Sequence, residues 1–222
     1  MEYSQTMKFR NTEVWGFKHA IRGMRNPKNS WSRIDSTFEP GVTLGENDLN
    51  LCKALIRGGS EHRKFLRQIF VSVDITAPLY WFKEYETYKV GTTSNSTSTM
   101  HKLTNKPITL EDFELDDFED IEFEGGEVNA IISYLEQLRQ KYLETKDKRY
   151  WKELIRWLPS GYCQTRTVTM NYENILNMVH QRKNHKLNEW SGKDDSELEN
   201  FISWALELPY MKEFLEALGE TL

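Results

Sequence analysis

Residues Ile69–Thr76 leave the chain little conformational choice. Ile69, Val71, Val73 and Ile75 alternate with Phe70, Ser72, Asp74 and Thr76. That period of two, with β-branched side chains, marks a strand with one buried face. Ala77-Pro78 follows, and proline is well placed at a helix start. The spacing then predicts a helix over Leu79–Lys89, with Leu79, Phe82 and Glu86 on one face and Trp81, Tyr85 and Tyr88 near another. After Gly91 comes a run of small polar side chains: Thr92, Thr93, Ser94, Asn95, Ser96, Thr97, Ser98 and Thr99. Such groups are poor core material, because each brings hydrogen-bonding atoms that must be satisfied. The run reads either as a surface loop or as a cradle for phosphate or sugar oxygens, with Lys83 and Lys89 just upstream.

The flanking chain is helix-rich. A short helix is expected within Glu13–Met24, then loop over Asn26–Glu39. Asn47–Arg57 carries Leu49, Cys52, Leu55 and Ile56 on one face and stops at Gly58-Gly59. Ser60 is a candidate cap for a short helix holding Lys64 and Phe65. Glu111–Glu127 is acidic, interleaved with Phe113, Phe118, Ile121 and Phe123. It reads as a docking segment or as a solvated excursion whose aromatic residues tuck back. Val128–Thr145 is an amphipathic helix through Val128, Ile131, Ile132, Leu135, Leu138 and Tyr142. Arg149–Leu158 is a second helix, broken by Pro159-Ser160-Gly161. Tyr162–Met170 reads as another strand. Asn171 is an N-cap for a helix to about Trp190, ended by Ser191-Gly192. Asp194-Asp195 opens a further helix with Leu198, Phe201, Ile202, Ala205 and Leu206, and Tyr210–Leu218 closes the chain helically.

Composition narrows function. The 222 residues suit one domain with a real core. Lys and Arg number 29 against 34 Asp and Glu, so no overall positive charge draws the chain to nucleic acid or an anionic membrane. Two cysteines, Cys52 and Cys163, with five scattered histidines give neither a disulfide framework nor a zinc spacing. No apolar run approaches the roughly 18 residues of a membrane span, and a cytoplasmic location is expected. Cys163 sits in a β-branched run and reads as packing. Arg182 is the planar fork that suits a phosphate or, equally, a surface ion pair. No Ser-His-Asp spacing and no Gly-rich phosphate loop is present.

Two stretches together resemble the flavin-dependent thymidylate synthases. That family shows a strand, an Ala-Pro turn, a helix with Arg-Gln, and the signature R-H-R-x-x-S-x-N-E-x-S-x-R. Here Lys83-Glu84 falls on Arg-Gln, Thr87-Tyr88-Lys89 on R-H-R, Thr92 on the first Ser, Ser94-Asn95 on N-E, Thr97 on the second Ser and Thr99 on the last Arg. Arg67-Gln68 falls on the Glu-His that precedes the family's strand. The second stretch, Leu158-Pro159, a strand with Thr165-Arg166, Asn171, Arg182 and Asn188-Glu189-Trp190, is similar in layout. The motif is degenerate: only Lys89 keeps a charge of R-H-R.

The resemblance implies a mixed α/β (α+β), helix-rich thymidylate-synthase-complementing-protein fold with a small central sheet. It implies a single domain over 1–222 with an acidic insertion-like segment about 105–127. It also implies a homotetramer that binds FAD and acts on dUMP or a related pyrimidine nucleotide. Methylenetetrahydrofolate and NADPH would be co-substrates of this methyltransferase, with no enzymatic nucleophile. Gln68, Tyr88, Lys89, Thr92, Asn171, Arg182 and His185 would hold the cofactor. Lys83, Glu84, Ser94, Asn95, Thr97, Thr99 and Arg166 would face the nucleotide. A catalytically inactive relative, serving as a nucleotide-binding or interaction module, is the alternative. An unrelated α+β interaction protein is a third reading.

Overall fold

The computed structural model describes residues 7–115, 126–193 and 198–220. Four strands form one sheet in the order β1-β2-β4-β3: β1 Lys8–Trp15, β2 Phe70–Pro78, β3 Thr93–Ser96 and β4 Cys163–Asn171. The expected β2 and β4 are the two middle strands. Along β2, Val71, Val73, Ile75 and Ala77 are buried and alternate with more exposed residues, as the sequence period requires. The Tyr172 N–H donates to the Ile69 carbonyl (2.9 Å), and the hydroxyls of Thr76 and Thr165 lie 2.7 Å apart. Residue numbers rise on one strand as they fall on the other, so this pair runs antiparallel.

Two sheet strands depart from expectation. Glu13–Trp15 belongs to β1 rather than to a helix, and the helix there is α1, Phe17–Met24. Gly16 makes the turn between them with φ +97°, and a Cβ on it would stand 2.1 Å from the Gln68 carbonyl oxygen. The hydroxyl tract includes β3, a short exposed strand, and not only loop.

The chain divides into two compact units. One contains Met1–Lys8, Ile75–Thr87 and Asn95–Thr167; the other contains Phe9–Asp74, Tyr88–Ser94 and Val168–Leu222. In the first unit, α3 (Leu79–Tyr85) follows Pro78 without a side-chain cap. Its orphan N–H groups at Leu79 and Tyr80 donate instead to the carbonyls of Tyr162 and Ser160, both at 3.0 Å. The Pro159–Gly161 break thus anchors a helix. Trp81, Phe82 and Tyr85 are buried, with Trp81 stacked on Tyr85 at 5.4 Å. The expected helix to Lys89 ends at Tyr85 and tightens into a 3-10 turn, Glu86–Tyr88. The four-residue α4, Thr99–Lys102, is capped by Ser98, whose hydroxyl accepts from the His101 N–H (3.1 Å). Helices α5 (Gly126–Thr145) and α6 (Lys148–Trp157) pack together, and Leu135, Leu138 and Leu154 form a small core with Leu103, Ile108 and Phe113. Ile131, expected on the apolar face, stands exposed. Of the acidic stretch, residues 116–125 with Phe118, Ile121 and Phe123 lie outside the described residues.

In the second unit, α2 (Glu46–Arg57) packs on α10 (Met211–Leu218), and α1 packs on a 3-10 turn, Lys64–Gln68, which starts after Arg63 rather than being capped by Ser60. Helix α7 spans Tyr172–Arg182, with Asn171 accepting from the Asn174 N–H (3.0 Å) as expected of an N-cap. It stops at Lys183, well short of Trp190, which lies in the separate short helix α8, Asn188–Ser191. Helix α9, Phe201–Leu206, is capped by Asn200, so Leu198 precedes it; residues 194–197, where its start was expected, lie outside the described residues. Phe17, Tyr172 and Phe214 meet edge to face, and the Tyr172 hydroxyl donates to the Pro209 carbonyl (2.9 Å).

Two outcomes follow. Gly16→Ala is expected to destabilise the chain by more than about 2 kcal/mol in urea unfolding, since both φ and space forbid a side chain. Glu136 on α5 accepts from Arg139 (2.7 Å), the Ile108 N–H (2.9 Å) and Gln140 (3.0 Å). The Arg139 hydrogen bonds lead in lowering its carboxyl from 4.5 to about 2, against burial. Its stabilising contribution is therefore complete above the ordinary value and is lost as pH falls through that window. Glu136→Gln should flatten the acid limb of the stability profile there.

Candidate functional site

The first unit holds the nucleotide-facing candidates other than Ser94, and Arg166 on β4 is the best anchored of them. The Arg166 guanidinium lies 4.0 Å from the Phe82 ring centroid, a cation–π distance. Its Nε donates to Gln164 Oε1 (3.0 Å) and its Nη1 donates to the Glu86 carboxylate (2.9 Å). The Gln164 amide in turn donates to the Thr97 carbonyl, and the Thr97 N–H donates to the Thr165 carbonyl (2.9 Å). Gln164 is thus a buried link between Arg166 and the hydroxyl tract. Nothing in the linear sequence marked it, or Glu86, as part of the site. Asn95 and Thr97 are exposed and Thr99 is half-buried at the start of α4. Lys83 is exposed and Glu84 half-buried on α3.

The second unit holds the cofactor candidates in two places. Arg182 Nε donates to the Tyr88 hydroxyl (2.8 Å), which donates to Gln181 Oε1 (3.0 Å). The same guanidinium lies 5.4 Å from the Tyr88 ring and 5.0 Å from the Trp190 ring. His185 meets Trp190 at 6.3 Å, and its Nδ1 accepts from the Leu187 N–H (3.2 Å). Beside them burial pushes the Glu189 carboxyl up. Thr92 bonds back to the turn that contains Tyr88 and Lys89, its N–H donating to the Lys89 carbonyl (3.2 Å). Lys89 and Ser94 are exposed. Gly91, φ +79°, lies against the Asn171 and Asn174 amides, and Asn174 donates to the Val90 carbonyl (2.9 Å).

Gln68 lies elsewhere in this unit, on a groove of about 1250 Å³. Arg25, Lys28, Arg33, His62 and Lys64 line the same groove, with Glu61 its one acid among the described lining residues. These basic residues come from separated stretches, so no motif announced them. Arg25 is buried and paired with Asp48: its Nε donates to Oδ1 (2.7 Å), while Ser36 Oγ donates to Oδ2 (2.6 Å). Lys28, Arg33, His62 and Lys64 are exposed. Clefts that bind drug-sized ligands run to roughly 1,000 Å³, so this one has room for an extended ligand, and its charge favours an anion. Burial pushes the Cys52 thiol up, which makes it unreactive. Among the described residues, no three His, Cys, Asp or Glu side chains gather as a metal site. Likewise no described helix is long and apolar enough to cross a membrane.

The sequence matches no family model and no curated protein. Its structure is similar to that of the flavin-dependent thymidylate synthase ThyX from Helicobacter pylori complexed with FAD and dUMP, with a TM-score of 0.66 and 16% identity. That match covers 96% of this chain and 100% of the other. A second structure, Thymidylate Synthase X from Helicobacter pylori with FAD and dUMP, matches at TM-score 0.65 and 15% identity, over 96% and 99% of the two chains. The chain shares its fold with the flavin-dependent thymidylate synthases. That fold comprises the expected mixed helices and small sheet.

The buried pair in the groove wall is open to test. Asp48→Ala leaves the Arg25 charge uncompensated and should cost about 3–5 kcal/mol. The apolar double replacement Arg25→Met with Asp48→Leu should recover much of it in the same denaturant titration.

Proposed function

We propose that this chain is a divergent, flavin-dependent thymidylate synthase-like protein that reductively methylates dUMP or a related pyrimidine nucleotide. The likeness of fold along nearly the whole chain, to proteins complexed with FAD and dUMP, carries this reading. The residues present also fit a flavin dinucleotide. A diphosphate requires cations and open backbone, and the groove beside Gln68 provides Lys28, Arg33 and Lys64 next to the side-chain-free Gly23. Tyr88, Lys89, Thr92, Asn171, Arg182 and His185 complete the proposed cofactor set. When bound, FAD supplies the redox chemistry, with methylenetetrahydrofolate as carbon donor and NADPH as reductant.

The chain's own part is binding and charge placement. Asn95, Thr97 and Thr99 offer neutral donors and acceptors to a pyrimidine or its sugar, while Lys83, Glu84 and Arg166 set the local charge. The degenerate signature means that hydroxyls and amides do what cations do in the family pattern. A single cytoplasmic domain assembled as a homotetramer belongs to this proposal. One observation favours the second reading, a binding module without turnover: the Arg166 charge is already matched by Glu86.

Turnover separates the two. With FAD, methylenetetrahydrofolate and NADPH, an enzyme releases tritium from the labelled pyrimidine C5 and oxidises NADPH in a pyrimidine-dependent way. A flat response from a folded, flavin-loaded protein leaves the binding module. Lys64→Glu should weaken FAD binding on the order of ten-fold, the scale of one lost charge-assisted contact.

A further inference from the structure

Trp15, Trp31 and Trp157 are the exposed tryptophans among the described residues. Trp15 already stacks on Phe70 (5.9 Å), and Trp157 stands on α6, its Nε1 donating to Glu153 of the same helix (2.6 Å). Trp31 instead adjoins the basic groove of the second unit. It opens a 3-10 turn, Trp31–Arg33, and both Ser30 and Arg33 line the groove. Its Nε1 donates to Oδ1 of Asn26 (2.8 Å), a third lining residue. That bond fixes the indole at the groove's edge while 46% of the residue stays exposed. The loop beneath it is pinned as well. The Asn29 N–H donates to the Asn26 carbonyl (3.1 Å), the Ser30 N–H to the Arg25 carbonyl (3.2 Å) and the Ile34 N–H to the Trp31 carbonyl (3.1 Å). An aromatic side chain held this way has little freedom left to lose when a flat ring settles on it.

We infer that Trp31 is the adenine-stacking residue of this groove, which thereby takes the adenosine diphosphate end of FAD and favours the dinucleotide over FMN. This rests on the reading above that the groove holds the diphosphate. Lys28 and Arg33 flank the indole in one loop and line the same groove. A diphosphate on those two cations carries its nucleoside toward the ring, and a purine offers a broad π face to stack on it. The reacting flavin ring must instead reach the pyrimidine-facing residues, none of which belongs to this loop. Adenine is therefore the ring left for Trp31. A volume of about 1250 Å³ gives a dinucleotide the length to serve both ends.

The test is calorimetric titration of FAD, FMN, ADP and inorganic pyrophosphate into the full chain, Trp31→Ala and Trp31→Phe, with thermal unfolding of each protein alongside. FAD and ADP are expected to bind Trp31→Ala about ten-fold or more weakly, the scale of one lost base stack, and Trp31→Phe should recover most of that loss. Whatever affinity the chain has for FMN and pyrophosphate should be the same in all three proteins. FAD and ADP affinities unaltered in Trp31→Ala overturn the inference while the flavin reading stands. FMN weakened as much as FAD puts the isoalloxazine on Trp31 and overturns it. Pyrophosphate weakened as much as ADP traces the loss to the loop rather than to a stack, and overturns it as well. A chain that binds ADP in the expected way but takes no FAD upholds the stacking role and overturns the flavin reading. A chain that binds neither overturns both.

Discussion

The antiparallel pairing of β2 with β4 is the constraint on which the other elements depend. Both strands end by launching a helix, α3 after Pro78 and α7 after Asn171. Because side chains alternate faces, a one-residue slip in register would turn every buried residue of β2 outward. The same slip would separate Thr76 from Thr165 and move Arg166 off the Phe82 ring. The helix starts are secured by different chemistry. Asn171 caps α7 with its own amide, whereas α3 borrows the carbonyls of Ser160 and Tyr162. The second device makes a break between elements part of the scaffold.

Charge is distributed differently in the two units. In the second, exposed basic residues gather along the groove beside Gln68, and the buried Arg25 in its wall is paired with Asp48. In the first, the cation of the hydroxyl-lined region is matched by Glu86. A groove lined by exposed basic residues suits a diphosphate, and a hydroxyl-lined surface suits a sugar or a base.

What was legible in the sequence was local. The alternation of Ile69–Thr76, the Asn171 cap and the Pro159–Gly161 break each reside in a few consecutive residues. β1 was hidden because its residues, KFRNTEVW, are mostly polar and exposed, with Phe9 the one buried residue of the strand. β3 was hidden for a related reason, since Thr-Ser-Asn-Ser buries nothing and relies on its neighbour strand for order. The overlong helix after Asn171 failed because Gln181–Asn188 offers polarity without an apolar stripe to hold a further turn. At the site, Arg166 and Arg182 were visible as chemistry, but their partners were not. Glu86 and Gln164 reach Arg166 only through the turn after α3 and the pleat of β4. The groove draws its basic residues from three separate stretches, which no linear pattern connects.

The most direct test of the account is the visible absorption of the purified chain after incubation with FAD and removal of free flavin. The account predicts retained flavin bands, with affinity that falls as salt rises, because exposed groove cations screened by ions hold the diphosphate. A colourless protein that retains no FAD at any ionic strength would contradict it.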